Sequence, residues 1–182
     1  EFPRTYRVWA DYTLAGSEGG DAHGHDHDDD HDHHGASSGD QVIVSEALIV
    51  GEEAAPELSS VDVLSANVDG LTYELSASGP VKAGESAKLL VNVTGPDGSA
   101  FKGLEPLMGA YGHLVGFNLG ATTMVHAHPG GDHPHGDASR GGPQLEFETV
   151  FEEAGPHKLF LQTKTGGSES SVAFVLNVTP QD

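Results

Sequence analysis

The fold class follows from one short pattern, HKLFLQTKTGGSESSVAFVLNV at residues 157–178. Apolar side chains recur at every second position on both sides of Gly166-Gly167, as one face of a β-strand requires. A Gly-Gly pair adopts the backbone angles of a tight turn at little cost. The pattern therefore predicts two strands separated by a turn.

The same alternation recurs along the whole chain. Glycine and proline pairs separate the runs, and no stretch of a dozen residues has the periodicity of an amphipathic helix. Short strands at regular spacing indicate an all-β protein, an immunoglobulin-like antiparallel β-sandwich over residues 55–182. The further predicted strand regions are 6–14, 42–50, 71–75, 89–93, 113–117, 122–128 and 145–151.

An extra N-terminal strand pair is expected in residues 1–54. Residues 2–12 weakly resemble residues 151–162, so the first fifty residues look like the closing strand pair of a second sandwich. An isolated strand pair is marginally stable in water. We therefore expect it to dock on the sandwich, to extend one of its sheets, or to pair with a second copy.

Composition narrows the function classes. The 182 residues include 28 Asp and Glu against 8 Lys and Arg, a net charge of −20, and no Cys. This charge argues against nucleic acids and anionic membrane surfaces, and it favours cationic partners such as metal ions. It fits a salt-adapted or an ordinary extracytoplasmic protein equally well. No disulfide or thiolate metal site is possible, and no apolar run is long enough for membrane insertion.

A histidine- and aspartate-rich loop is predicted between the first two strands. Residues 21–40 contain six His and seven Asp. Imidazoles and carboxylates bind Zn(II), Cu(II) and Ni(II), so the segment is predicted to be a low-affinity metal loop. The alternative is a solvated spacer. The proposed loop ligands are His23, His25, His27, His31, His33, His34, Asp26, Asp28, Asp30 and Asp32.

A second group of histidines lies on two successive predicted strands, GHLVGF at 112–117 and TTMVHAHP at 122–129. A loop of two or four residues pairs positions whose numbers sum to 239, which places His113 directly opposite His126. His128 then lies diagonally on the same face, within about 7–8 Å. The three imidazoles are predicted to bind one metal ion, whereas an odd register would separate them.

Two methionines flank this group. Met124 shares a strand face with His126, and a thioether beside imidazoles favours Cu(I), while three imidazoles suit Zn(II) or Cu(II). Core packing is nevertheless the predicted role of both Met108 and Met124.

Three further histidines lie nearby in the sequence. His133 and His135, in the loop after the second strand, are predicted auxiliary ligands. His157 follows Gly-Pro at the start of a strand and is predicted to be an ordinary edge residue.

Catalytic motifs are missing from the sequence. It has no Gly-x-Ser-x-Gly elbow, no phosphate-binding Gly-Lys-Ser/Thr loop and no dinucleotide fingerprint. We therefore expect a binding protein, not an enzyme. A metalloenzyme would additionally need an open coordination position.

Residues 104–178 resemble a family of exported bacterial and archaeal sandwich proteins. The resemblance rests on the motifs Gly-His-Leu-Val (112–115), His-x-His-Pro (126–129) and Leu-Phe-Leu-Gln (159–162), and on YRVWADY at 6–12. The wider similarity is to YtkA-like, FixH-like and CopC-like modules linked to extracytoplasmic copper handling. It implies a metal set of His113, His126 and His128. The N-terminal His of CopC-type sites is not carried over, because this sequence begins with Glu1.

The expected function is extracytoplasmic binding of copper, or else zinc, for capture, buffering or delivery. The histidine- and aspartate-rich loop resembles loops of periplasmic zinc-binding proteins, so zinc remains a candidate metal. Because the sequence begins with Glu1, we interpret it as an exported and processed product that is secreted, periplasmic or on the cell surface. The predicted partner, besides metal ions, is a membrane metal transporter or a second copy of the same chain. The competing class is an acidic structural or adhesion module.

Overall fold

A computed structural model describes residues 4–13, 41–50, 61–131 and 133–181. These residues form eleven β-strands and no helix, so within them no helix is available to span a membrane. The chain divides into two compact units, Glu1–Ala54 and Ala55–Asp182. The predicted all-β class is confirmed.

The first unit contains two strands, β1 (Arg4–Thr13) and β2 (Gln41–Val50). They pair antiparallel in one continuous register, from Arg4 opposite Val50 to Thr13 opposite Gln41. The predicted N-terminal strand pair is therefore confirmed. The histidine- and aspartate-rich loop, residues 21–40, lies outside the described residues.

The second unit consists of two antiparallel sheets. One has the strand order β11-β10-β6-β7, and the other has the order β3-β4-β5-β9-β8. The strands are β3 (Ser65–Val68), β4 (Leu71–Ala77), β5 (Ser86–Thr94), β6 (His113–Asn118), β7 (Met124–Ala127), β8 (Pro129–Gly130), β9 (Gln144–Val150), β10 (Gly155–Thr165) and β11 (Ser168–Val178).

The core lies between these two sheets. Leu89 and Phe147 from the five-stranded sheet and Leu159, Leu161 and Phe174 from the four-stranded sheet are all buried in one apolar cluster. Each buried aliphatic or aromatic side chain contributes roughly 1.5–3 kcal/mol through removal of its surface from water. The alternation seen in the sequence thus gives each sheet an apolar inner face, which confirms the sandwich. Its immunoglobulin-like character stays a prediction.

The chain changes sheets at His128. β7 belongs to the four-stranded sheet, and β8 pairs with β9 at the edge of the other. His128 is the single residue between these strands. The histidine motif therefore lies where the chain crosses from the four-stranded sheet to the five-stranded sheet.

His157 was expected at a strand edge, and this is wrong. β10 lies between β11 and β6, so His157 has Leu176 on one side and Asn118 on the other. Its side chain is 2% exposed, and its ring lies 5.0 Å from the ring of Phe151. Burial lowers the pKa of His157, because the low-polarity interior disfavours the charged imidazolium.

Candidate metal centre

The hairpin of β6 and β7 differs in register from the prediction. Val115 lies opposite His126, and Leu114 lies opposite Ala127, so paired numbers sum to 241 instead of 239. In this register His113 is level with His128, and His126 is the diagonal neighbour. The predicted direct pair of His113 and His126 is therefore wrong. A slip of two residues keeps every side chain on its face, so the three histidines still converge.

The register is set by Asn118 at the end of β6. Its side-chain oxygen accepts hydrogen bonds from the backbone N–H groups of Thr122 (2.7 Å) and Thr123 (3.1 Å). Its amide nitrogen donates to the Thr122 hydroxyl and to Glu153, both at 2.6 Å. These bonds close the connection between Asn118 and Met124, which spans residues 119–123 and is one residue longer than the longest loop expected. Such side-chain closure leaves no trace in strand alternation.

The three imidazoles lie close together on the outer face of the four-stranded sheet. Their ring centroids are 4.6 Å apart for His113 and His128, 4.9 Å for His126 and His128, and 5.9 Å for His113 and His126. One nitrogen from each ring lies within 4.8 Å of the others. An ion with nitrogen ligands at about 2.0–2.1 Å needs them about 3.3–3.6 Å apart, so closure takes shifts of about 1 Å.

Exposure increases across the three histidines. His113 is 3% exposed, His126 is half-buried and His128 is exposed. The buried ring forms the floor of the site, whereas the exposed ring lies at its solvent side. The site is therefore open to solvent on the side of His128.

The hydrogen bonding of His113 defines its tautomer. Its Nε2 lies 2.9 Å from the carbonyl oxygen of Leu107, which can only accept, so Nε2 carries the proton and donates it. Its Nδ1 is buried and has no hydrogen-bond partner. A buried polar atom left without a partner costs about 1–3 kcal/mol. Metal-binding histidines have this arrangement, with one nitrogen held by a carbonyl and the other presenting a lone pair.

A tight turn positions the Leu107 carbonyl. Leu107 and Ala110 exchange two backbone hydrogen bonds of 2.8 and 3.0 Å. The two residues between them, Met108 (φ 45°) and Gly109 (φ 83°), have the positive φ angles of a two-residue hairpin turn. Sequence reasoning did not identify this turn, although its Met-Gly pair contains the glycine that such turns favour.

The two methionines do not occupy the core. Met108 is 70% exposed at the tip of this turn, so its predicted core role is wrong. Met124 is half-buried and alternates with Val125 and Ala127, which point into the core. It therefore lies on the outer face with His126.

The sheet below the histidines is tightly packed. A Cβ at Gly116 would come within 2.4 Å of Leu159 and 2.7 Å of Val125. A larger residue would require the side chains of Leu159 and Val125 to shift, so glycine allows the close packing of β6 against its neighbours beneath His113.

His133 and His135 are exposed and line a separate open cavity of about 570 Å³. The group of converging donor atoms found among the described residues comprises only His113, His126 and His128. The structure therefore does not bring His133 and His135 into this group, and their role as auxiliary ligands stays a prediction. The predicted ligands of the histidine- and aspartate-rich loop fall outside the described residues.

Fold and site together define an all-β sandwich that carries a three-histidine candidate metal centre at one sheet corner. Residues 66–180 match the family model described as Domain of unknown function (DUF8832). The chain belongs to this family, and the matched region includes all three histidines. A search of the curated proteins finds no match.

Proposed function

We propose that the protein binds a transition-metal ion through His113, His126 and His128, and that it captures, buffers or delivers this ion outside the cytoplasm. The observation that carries the proposal is the buried Nδ1 of His113, which has no hydrogen-bond partner. A metal ion would use the lone pair of this nitrogen. The Leu107 carbonyl holds Nε2, which leaves Nδ1 as the nitrogen available for ligation.

Copper is the first candidate and zinc the second. The site offers three imidazoles, and the chain has no thiolate to offer. Such a set accepts Cu(II) and Zn(II), and divalent copper binds nitrogen ligands more tightly than zinc does. Met124 on the same face supplies a soft sulfur near His126, which also suits reduced copper.

An exchangeable ion fits the site better than a permanent structural one. Structural zinc sites are closed by four protein ligands, whereas the described part of the chain brings three together here, of which His128 is exposed. The net charge of −20 raises the local concentration of cations around the protein. These features support capture and release.

Location and partner belong to the same proposal. The resemblance to exported copper-handling modules supports an extracytoplasmic setting, and it supports a membrane metal transporter or a second copy as the recipient of the ion. Binding without catalysis is proposed because the sequence contains no catalytic motif.

Isothermal titration of the metal-free full chain with Cu(II) and Zn(II) tests the proposal. We expect one tight site in addition to weak sites, and a loss of at least about 100-fold in the tight affinity for His126→Ala. Met124→Leu is the matched control, since it changes the same strand face without removing an imidazole. A tight site that persists in His126→Ala would show that the proposal is wrong.

A further inference from the structure

We infer that His133 and His135 form an entry site that passes the metal ion to His113, His126 and His128 without becoming its permanent ligands. The inference rests on the proposed function. It concerns the route of the ion, whereas the proposed function concerns where the ion finally binds.

The open cavity adjoins the three-histidine group along the chain, although none of the three histidines lines it. His133 and His135 both line it, together with Pro129–Gly131, which directly follow His128, and Tyr111, two residues before His113. His133 is only five residues from His128, so their Cα atoms are at most about 18 Å apart. An ion held by His133 is therefore a short distance along the chain from His128, the exposed member of the three-histidine group.

The loop that carries the pair is held by its own hydrogen bonds. The backbone N–H of His135 donates to the Ser139 hydroxyl (3.0 Å), and the N–H of Ser139 donates to the Gly136 carbonyl (3.0 Å). The Arg140 guanidinium donates to the carbonyls of Asp137 (3.1 Å) and Ser139 (2.8 Å). The exposed imidazole of His135 is therefore presented to solvent at the start of a hydrogen-bonded turn, and His133 is exposed two residues before it.

Two imidazoles suit transient binding. Their two nitrogens can replace two waters of a hydrated ion, but a third protein nitrogen is needed for the tighter site. His133 and His135 lie outside the group of converging nitrogens, so the ion must leave them to gain the third ligand. Transfer then replaces two exposed ligands with a set that includes buried His113.

An entry site and a permanent ligand have different kinetic consequences. A group that only relays the ion contacts it neither before binding nor in the final bound state. Its loss slows entry and exit by the same factor and leaves the dissociation constant unchanged. The loss of a permanent ligand weakens affinity, chiefly through faster dissociation.

Stopped-flow transfer of Cu(II) from its glycine complex to the full chain, and removal of the ion by a competing chelator, test the inference. The d–d absorption of Cu(II) gives the signal, and the signal from His126→Ala is subtracted to remove ions bound elsewhere. The His133→Gln, His135→Gln double variant is compared with wild type. Gln144→Ala, which alters the same cavity without changing a histidine, is the control.

We expect both rates of the double variant to fall about 10-fold, with a dissociation constant within about 2-fold of wild type and with normal rates in the control. Unchanged rates would overturn the inference, and so would a dissociation constant weakened about 10-fold or more. Failure of the proposed function is separate, since wild type itself would then lack the signal that His126→Ala removes.

Discussion

Two buried histidines on neighbouring strands face opposite sides of the same sheet and have different surroundings. His157 lies on the core side, packs against Phe151, and its Nδ1 is hydrogen-bonded to the Gly155 carbonyl at 3.1 Å. His113 lies on the outer side, with Nδ1 unpartnered and two imidazoles beside it. Burial is the same in both, 2% and 3% exposed. The free nitrogen and the neighbouring donors, and not burial, distinguish a candidate ligand from a packing residue.

The largest effect that separates the two regions is expected from His113→Leu. This variant should lose at least about 100-fold in metal affinity, because it removes the one fixed ligand. The metal-free protein should change in stability by less than about 1 kcal/mol, because the lost hydrogen bond is offset by removal of an unsatisfied buried nitrogen. Titration calorimetry and urea unfolding measure the two effects. Intact tight binding would remove His113 from the site.

The opposite outcome is expected for His157→Ala. Deleting a large buried side chain leaves a cavity, which should lower the free energy of unfolding by about 2–4 kcal/mol. Metal affinity of the folded variant should equal that of wild type. Urea unfolding and calorimetry under native conditions check both. A weakened metal site together with normal stability would contradict the distinction between the two histidines.

Smaller effects are expected from pH, first on the stability of the protein and second on its metal affinity. The pKa of His157 is lowered in the folded protein, so below about pH 6.5 the unfolded chain binds more protons than the folded one. Stability of the metal-free protein should therefore be at its full value above pH 6.5 and should fall as the pH drops below it. His157→Phe should lose this component. Urea unfolding between pH 5 and pH 8 measures it, and identical slopes in both proteins would contradict the assignment.

Metal binding should also weaken below about pH 6, because protons compete for the imidazole nitrogens. This loss should persist in His157→Phe, which separates it from the stability effect. Calorimetric titrations at pH 5 and pH 8 check it. Equal affinity at the two pH values would show that imidazoles are not the ligands.

The smallest expected effect tests the turn behind His113. Gly109→Val places a β-branched residue at a φ of 83°, which should distort the turn, displace the Leu107 carbonyl and weaken metal affinity about 10-fold. Gly98→Val is the matched control, because Gly98 has a φ of 78° in another turn and is similarly free of close contacts. It should lower stability by a similar amount and leave affinity unchanged. Equal affinity losses in the two variants would show that the turn has no specific role.

Alternation predicted most of the sandwich and the shared face of the three histidines. It could do so because side-chain direction in a strand depends only on whether a position is odd or even. The exact pairing of His113 was missed, since it depends on the hydrogen bonds of Asn118 in a loop. The two-residue strand Pro129–Gly130 is too short to show a period.

The surroundings of His113 and His157 were beyond sequence reasoning for a different reason. Alternation gives the face of a residue but not which strands lie beside it, so His157 was misplaced at an edge. The bond from His113 to Leu107 joins a strand to an irregular loop, and no periodic pattern describes such a loop.

The most direct test of the central claim is nitrogen-15 NMR of the His113 imidazole during titration of the full chain with Zn(II), a diamagnetic ion. Before zinc is added, the account predicts a protonated Nε2 and an unprotonated Nδ1. During the titration, the Nδ1 resonance should move to the position of a metal-bound nitrogen and saturate at one ion per site, while Nε2 keeps its proton. A His113 spectrum that stays unchanged while the protein takes up zinc would contradict the account.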